Sequence, residues 1–384
     1  MDAAPGLGPR PRARWPAAGA RWGITPAVVA VWVAHLLIVG LAAAVPAAPA
    51  PGMPHPLGGL PWLGWDTGWY WRIARLWYEG KDGAISAAFW PGVPAVLAVL
   101  RWPLAALIAW QGLFLALLVQ VGRLARAYGL VGWRVPAAQA FLALSPAALF
   151  LSAVYPECWM ALGACGVLLA LREGKPGAAA AWTALAVVMD PWGLAVGLPA
   201  VVTALRGLAK RDPATFRLGV RAGLGGVLAV AAVLALLAVR TGSPWASLTA
   251  QRHWVAGIAM PWAPVATALG RLVTTTPMRP AAWGALAALP LVVGGTVAVA
   301  KRVRVSAWHA TVAFFALGTL IAAPMFTSQG RLLASVDRFW LLNVAAPLGL
   351  AGAMSRRGAM VALIWSGAWS VYGAVLFTHG YFWG

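Results

Sequence analysis

The dominant feature of this sequence is a series of apolar runs separated by short polar segments. Eleven such runs cover residues 24–45, 103–121, 135–152, 158–171, 177–189, 192–205, 218–239, 281–300, 305–323, 339–354 and 359–377. Hydrophobic residues make up 61% of the chain and charged residues only 10%, which is far too apolar for a water-soluble globule of this length. Because a helix of roughly 20 apolar residues crosses a bilayer, the sequence predicts an all-α polytopic membrane protein with about eleven transmembrane helices.

The first apolar run follows an arginine-rich segment, as the apolar region of a signal peptide does. Residues 24–45 are long enough to cross the bilayer core, whereas the apolar region of a signal peptide covers only about 7 to 15 residues. We therefore expect two parts, a basic cytoplasmic tail at residues 1–23 and a single transmembrane domain at residues 24–384.

The basic residues predict the orientation of the chain. The formal net charge is +20, from 29 Lys and Arg against nine acids. If the N-terminus is cytoplasmic and successive runs cross the membrane in opposite directions, most bases fall on the inner side. This distribution agrees with the positive-inside rule for membrane proteins. These inner bases are Arg10, Arg12, Arg14, Arg21, Arg123, Arg126, Arg134, Arg172, Lys175, Arg206, Lys210, Arg211, Arg217, Arg221, Lys301, Arg302, Arg304, Arg356 and Arg357. Nucleic-acid binding needs a solvated basic face, so we exclude it for a chain interrupted so often by apolar runs.

Two short runs, residues 177–189 and 192–205, meet at Asp190-Pro191. A single fused helix would move the bases between residues 206 and 221 to the outer side. Proline removes a helical hydrogen bond and so provides a physical break. We therefore predict a broken pair with its hinge at Asp190-Pro191.

Six of the nine acids gather on the predicted outer side, namely Asp66, Glu79, Asp82, Glu157, Asp190 and Asp337. Glu79 and Asp82 flank Lys81 and are typical of an exposed loop. Burial of a carboxylate beside an apolar run costs free energy, which makes Asp66, Glu157 and Asp190 candidate site residues.

The longest segment between runs is the first outer segment, residues 46–102. Within it, residues 68–78 place Trp69, Ile73, Leu76 and Trp77 at helical spacing, and residues 89–100 are apolar with prolines. Both stretches predict short helices that lie in the membrane interface rather than cross it.

The same segment contains Trp65-Asp66-Thr67-Gly68-Trp69-Tyr70, one carboxylate among large aromatic rings. Asp is a favoured helix N-cap, so a purely structural role is one interpretation. The other is a general base with aromatic walls for a sugar, because the low dielectric of the membrane boundary makes a carboxylate more basic.

Three motifs carry a family resemblance. They are Trp65-Asp66-x-x-Trp69-Tyr70-x-x-Ile73-Ala74-x-x-x-Tyr78, Ala88-Phe89-Trp90-Pro91-x-x-Pro94, and Ser152-Ala153-x-Tyr155-x-Glu157. In order and spacing they resemble the bacterial relatives of GPI mannosyltransferase II, the phosphatidylinositol-glycan class V family. Weaker similarities occur at Asp190-Pro191-x-Gly193, at Thr241-Gly242-x-Pro244 with Gln251, and at Arg338-Phe339.

The resemblance implies a GT-C membrane glycosyltransferase with its catalytic Asp, here Asp66, in the first outer loop. It also implies a polyprenyl-phosphate sugar, usually mannose, as donor. The chain departs from the family at Asp190, where bacterial relatives often have an Arg, so an acid stands in place of a base at this point. No Rossmann-like domain or glycine-rich phosphate loop is evident for a nucleotide sugar, which agrees with a lipid-linked donor.

The expected activity is inverting transfer of a sugar to a hydroxyl of a glycolipid or other envelope acceptor on the outer face. The developing phosphate charge needs a cation, and Arg338, Arg331, Arg252 and His253 fall in outer segments. We expect Arg252 and Arg331 to be interfacial anchors, whereas Arg338 fits either role. Glu157 could contact substrate or simply cap its helix. The residues predicted to bind substrate are Trp65, Trp69, Tyr70, Tyr155, Glu157, Asp190, His253 and Arg338.

No cofactor or metal is indicated, since Cys158 and Cys165 lie seven residues apart and no Asp-x-Asp pair stands out. The expected partners are the lipid-linked donor, the acceptor and membrane lipids, with no obligatory protein partner. The main alternative is a polytopic lipid or solute transporter or flippase with a broken helix at Asp190-Pro191. A non-catalytic scaffold or partner subunit is a third interpretation.

Overall fold

The computed structural model describes residues 23–50, 56–80, 82–274, 278–328 and 332–383. The α-helices are α1 Pro26–Ala42, α2 Asp66–Leu76, α3 Gly83–Ser86, α4 Gly92–Leu100, α5 Pro103–Ala127, α6 Arg134–Ala143, α7 Glu157–Arg172, α8 Pro176–Met189, α9 Leu198–Ala209, α10 Pro213–Thr241, α11 Ala246–Gln251, α12 Trp262–Leu272, α13 Pro280–Ala300, α14 Ala307–Ala322, α15 Val336–Trp340, α16 Ala345–Ala353 and α17 Arg356–Thr378. Short 3-10 turns cover Leu57–Gly59, Ala148–Leu151, Pro191–Gly197 and Ala323–Met325. In the described part, β1 Val255–Ile258 and β2 Phe326–Ser328 form one antiparallel pair.

Among the described residues, six helical segments are long and apolar enough to cross a membrane. They are Pro103–Ala127, Pro191–Ala209, Pro213–Thr241, Pro280–Ala300, Ala307–Met325 and Arg356–Thr378, and the shorter apolar helices Pro26–Ala42 and Pro176–Met189 accompany them. The architecture is that of an all-α membrane protein, as the sequence predicts. The predicted number of eleven spans is not confirmed.

Two of the predicted runs are interrupted and do not form one long helix each. In residues 135–152, α6 ends at Ala143 shortly before Pro146, which cannot continue a helix. In residues 339–354, the side-chain oxygen of Asn343 accepts the N–H of Ala346 at 3.1 Å and so starts a separate helix, α16, of nine residues. Hydropathy alone does not detect such interruptions, because the broken pieces are as apolar as a continuous span.

The predicted break at Asp190-Pro191 is present. Helix α8 ends at Met189, and Asp190 is extended, with φ −162° and ψ 148°. Beyond it Gly193 lies against α8 so closely that a Cβ there would come within 2.0 Å of the carbonyl oxygen of Ala186. The chain therefore doubles back onto α8 instead of continuing in the same direction.

Helix α10 packs along both α8 and α9 through glycines. A Cβ at Gly219 would lie 2.3 Å from the backbone nitrogen of Ala204 in α9, and one at Gly225 would lie 1.9 Å from the carbonyl oxygen of Ala180 in α8. Only a residue without a side chain permits this backbone approach. The glycines thus join the two arms of the broken pair to one long helix.

We expect Gly225→Ala to lower the free energy of unfolding by about 1 to 3 kcal/mol, because the added methyl group overpacks the contact with α8. Gly223→Ala is the matched control in the same helix, since its Cβ would meet only the Ala200 Cβ at 4.0 Å. Thermal unfolding of the purified variants in detergent compares the two. Equal stability of both variants would show that α8 and α10 leave room for a methyl group at position 225.

The bundle has a basic end and an opposite end that carries the candidate site. Short linkers join α5 to α6, α7 to α8, α9 to α10, α13 to α14 and α16 to α17 at the basic end. Arginines connect these helix ends: Arg172 donates to the carbonyl of Ala127, Arg206 donates to the carbonyl of Ala307, and Arg302 reaches the carbonyl of Tyr128. The described bases that were assigned to the inner side thus gather at one end, whereas Arg10, Arg12, Arg14 and Arg21 lie outside the described residues.

Candidate functional site

Asp66 is the first residue of α2, and its backbone is fixed by the segment that leads into α7. The N–H of Asp66 donates to the Tyr155 hydroxyl at 3.0 Å, and that hydroxyl donates to the carbonyl of Gly64 at 3.3 Å. Trp65, directly before it, has φ 56° and ψ −119°, a strained conformation for a residue with a side chain. Contacts with a distant part of the chain therefore hold the start of α2 in place.

The Asp66 carboxylate pairs with Arg338 instead of capping its own helix. Its Oδ2 accepts from Nη1 of Arg338 at 2.8 Å, across 272 residues of sequence. The N-cap position of α2 is Trp65, and no side chain accepts a capping hydrogen bond there. The structural interpretation of Asp66 as an N-cap is therefore wrong.

Arg338 is held on several sides. Its Nε lies 2.8 Å from Oε1 of Glu157, and its guanidinium carbon lies 5.4 Å from the ring centroids of Phe150, Tyr155 and Phe339. The contact with Glu157 is an ion pair whose angle falls outside hydrogen-bonding geometry. A guanidinium enclosed by a carboxylate and by ring faces keeps one orientation.

The side chains of Asp66, Arg338 and Glu157 differ in their exposure. The exposed fraction of the side chain is 16% for Asp66, 8% for Arg338 and 1% for Glu157. Among the described residues, Oε2 of Glu157 has no hydrogen-bond partner. Asp66 is therefore the member of the cluster that a ligand can reach most easily. Glu157 is the most deeply buried member.

Aromatic rings line the same region, as the sequence predicts for Trp65, Trp69 and Tyr70. Trp69 stacks on Phe89 at 5.7 Å between ring centroids and meets Trp254 edge-on at 6.0 Å. Trp65 meets Phe382 at 5.0 Å, and Tyr70 meets Tyr155 at 6.1 Å. No local sequence pattern selects Trp254, Phe150 or Phe382, because their positions depend on packing between distant segments.

Two tyrosines of the site are buried phenols. Burial raises the pKa of Tyr155 well above its ordinary value, and the negative charge of Asp66 acts in the same direction. Burial raises the pKa of Tyr70 in the same way, again with a contribution from Asp66. Both hydroxyls therefore stay protonated near neutral pH.

Asp190 and His253 lie outside the ion-pair cluster. The Asp190 carboxylate accepts the N–H of Trp192 at 2.8 Å, and the Trp192 indole N–H donates to the carbonyl of Phe339 at 3.1 Å. The hydrogen bonds of Asp190 thus reach the site through Trp192, and its charge lies close enough to Arg338 and Asp66 to interact with theirs. The His253 side chain is exposed, its Nδ1 lies 3.1 Å from the carbonyl of Ala250, and it joins none of the contacts above.

Asp337 is a buried carboxylate that was not among the predicted site residues. Its Oδ1 accepts the backbone N–H of Arg338 at 3.0 Å, so it fixes the backbone of the arginine. The described part of the chain contains no group of three His, Cys, Asp or Glu side chains arranged to hold a metal ion. Arg331 lies outside the described residues.

Comparison with protein-family models gave no match, and a search of curated proteins found no matching sequence.

Proposed function

We propose that the chain is an inverting GT-C glycosyltransferase with Asp66 as its catalytic base. It would move a sugar from a polyprenyl-phosphate donor to a hydroxyl of a glycolipid or other cell-envelope acceptor, and the sugar that we propose is mannose. The observation that carries this proposal is the pairing of Asp66, within the Trp-Asp-x-x-Trp-Tyr motif, with Arg338 at 2.8 Å. On this proposal Asp66 is the base and Arg338 is the cation that binds the donor phosphate.

In the proposed step, Asp66 takes the proton of the acceptor hydroxyl while the acceptor oxygen attacks the anomeric carbon. The bond between that carbon and the phosphate oxygen breaks, and its electron pair stays on the leaving lipid phosphate. Attack on the face opposite the leaving group inverts the configuration of the sugar. A single carboxylate suffices for this chemistry.

Arg338 would stabilise the negative charge that develops on the leaving phosphate. Glu157 and three aromatic rings fix its guanidinium, while its Nη1 faces the more exposed Asp66. A donor phosphate entering from that side would replace Asp66 at Nη1, because guanidinium binds phosphate and carboxylate oxygens alike. Donor binding would thereby release Asp66 to act as a base. Glu157 is then a positioning residue for Arg338.

The location of the site supports a lipid-linked donor. The cluster lies at the end of the bundle opposite the basic linkers, which the preference for cytoplasmic Lys and Arg would place outside the cytoplasm. The partly exposed rings of Trp65 and Trp69 are suited to the apolar faces of a sugar, whereas Tyr70 is buried beneath them. On this proposal, residues 46–102 form the first outer loop of a GT-C bundle.

The direct test uses purified protein in vesicles that contain radiolabelled polyprenyl-phosphate mannose and an extract of envelope lipids. We expect a labelled glycolipid to form with this chain as the only protein present. Movement of label across the bilayer without formation of a new bond would favour a transporter and contradict the proposal. The doubling back at Asp190-Pro191 forms a helical hairpin, so it does not favour the broken helix of a carrier.

A further inference from the structure

The basic end of the bundle, opposite Asp66, has an uncompensated positive charge. Two of the described acids lie there, and both are already engaged. Glu173 pairs with Lys175 at 2.7 Å. Asp212 accepts the N–H groups of Ala214 and Thr215, at the first turn of α10. Within the described ranges, no carboxylate at this end is left to neutralise the arginines.

Two of these arginines, Arg172 and Arg302, contact the C-terminal end of α5. Arg172 donates to the carbonyl of Ala127 and lies 4.8 Å from the centroid of the Trp308 ring. Arg302 reaches the carbonyl of Tyr128 at 3.5 Å and lies 5.3 Å from the centroid of the Tyr128 ring. The Tyr128 and Trp308 rings are 6.1 Å apart, so two guanidinium groups flank one pair of neighbouring rings.

Capping of the helix end accounts for only part of this arrangement. Each guanidinium has five N–H donors, and among the described contacts each uses one of them on a carbonyl at the end of α5, that of Ala127 or of the C-cap Tyr128. In the part of the chain that the structure describes, neither Arg172 nor Arg302 forms an ion pair. Donors and charge therefore remain for an anion.

The Tyr128 hydroxyl is a second, independent sign of a ligand. The residue is only 2% exposed, and its hydroxyl has no hydrogen-bond partner among the described residues. A buried O–H without an acceptor costs about 1 to 3 kcal/mol. Arg302 and His309 lie against the Tyr128 ring, with the His309 centroid 5.0 Å away, but among the described residues neither accepts from the hydroxyl.

We propose that Arg172, Arg302 and Tyr128 form a binding site for a phosphate group. A phosphate oxygen accepts from the hydroxyl and from both guanidinium forks, and its charge balances theirs. The site lies where the ends of apolar helices meet their basic linkers, so the phosphodiester of an anionic phospholipid is one source of this group and free phosphate is the other. The site is at the opposite end from Asp66 and does not depend on the proposed function.

The test measures binding of fluorescent phosphatidylglycerol to the purified full chain in neutral detergent, by fluorescence anisotropy. We expect Arg302→Gln to weaken binding about tenfold and Tyr128→Phe to weaken it several-fold, in line with the loss of charged hydrogen bonds. Arg304→Gln is the matched control, because Arg304 is exposed in the same linker and its loss removes the same charge. Its effect should stay within about twofold, as for a charge near the membrane surface.

Competition with inorganic phosphate separates the two sources. Displacement of the lipid by inorganic phosphate supports a site that takes free phosphate. If inorganic phosphate does not displace the lipid and Arg302→Gln binds the lipid weakly, the result supports a site for a lipid headgroup. Equal weakening by Arg302→Gln and Arg304→Gln would overturn the proposal, since it would indicate diffuse attraction to anionic lipid. So would unchanged binding by both Tyr128→Phe and Arg302→Gln. Tyr128→Phe removes a single oxygen atom and keeps the test valid if Arg302→Gln does not fold.

Discussion

Asp66→Asn is expected to lower the rate of sugar transfer by about 10² to 10⁴-fold, the usual contribution of a general base. An amide has nearly the same shape and still accepts a hydrogen bond from Arg338, but it cannot take a proton from an acceptor hydroxyl. The backbone contacts of Asp66 with Tyr155 do not involve the carboxylate, so the start of α2 should keep its position. The measurement is formation of labelled glycolipid from polyprenyl-phosphate mannose in vesicles.

Asp82→Asn is the matched control for this substitution. Asp82 also lies within residues 46–102 and also pairs with an arginine, since its carboxylate is 2.5 Å from Arg72. Both sides of that pair are far more exposed than the Asp66 cluster, and we expect normal transfer from this variant. Near-normal turnover by Asp66→Asn, or an equal loss in both variants, would remove Asp66 from the proposed mechanism.

Arg338→Met should be the most destabilising single change at the site. It leaves the Glu157 carboxylate, only 1% exposed, without its cation, and an unpaired buried charge costs about 3 to 5 kcal/mol of unfolding free energy. Met keeps much of the length of the Arg side chain, so lost packing contributes less than lost charge. Thermal unfolding in detergent should show a large decrease in the midpoint.

The double variant Arg338→Met with Glu157→Gln separates charge from packing. Because the buried carboxylate is then absent, we expect the double variant to unfold at a higher temperature than the Arg338→Met variant. Such a gain would show that the two side chains interact directly. Activity should not return, since the phosphate would still lack its cation. A double variant as unstable as the sum of the two single variants would show that Glu157 and Arg338 do not depend on each other.

Local features of the site and fold could be predicted from the sequence because short-range rules determine them. Asp66 stands at the start of a helix, α4 falls within the predicted stretch 89–100, and Pro191 marks a real reversal of the chain. Each depends on a few neighbouring residues, such as a proline or an aromatic spacing. The gathering of bases at one end likewise follows from alternating apolar runs.

The ion-pair cluster depends instead on tertiary packing. No local pattern indicates that Arg338 meets Asp66 across 272 residues, or that Trp254 packs on Trp69. The predicted number of eleven membrane spans is not confirmed, and the reason is related. A segment buried inside the bundle, such as residues 135–152, is as apolar as one that faces lipid, and hydropathy does not separate them.

The most direct test asks on which side of the membrane the start of α2 lies. Cys158 and Cys165 are buried, so a cysteine introduced by Gly68→Cys, at an exposed and uncrowded position, would be the reactive one. Arg304→Cys provides the matched position at the basic end. We predict that a membrane-impermeant maleimide labels position 68 in intact cells and position 304 only after permeabilisation. Labelling of position 304 but not position 68 in intact cells would place Asp66 in the cytosol and contradict the proposed reaction.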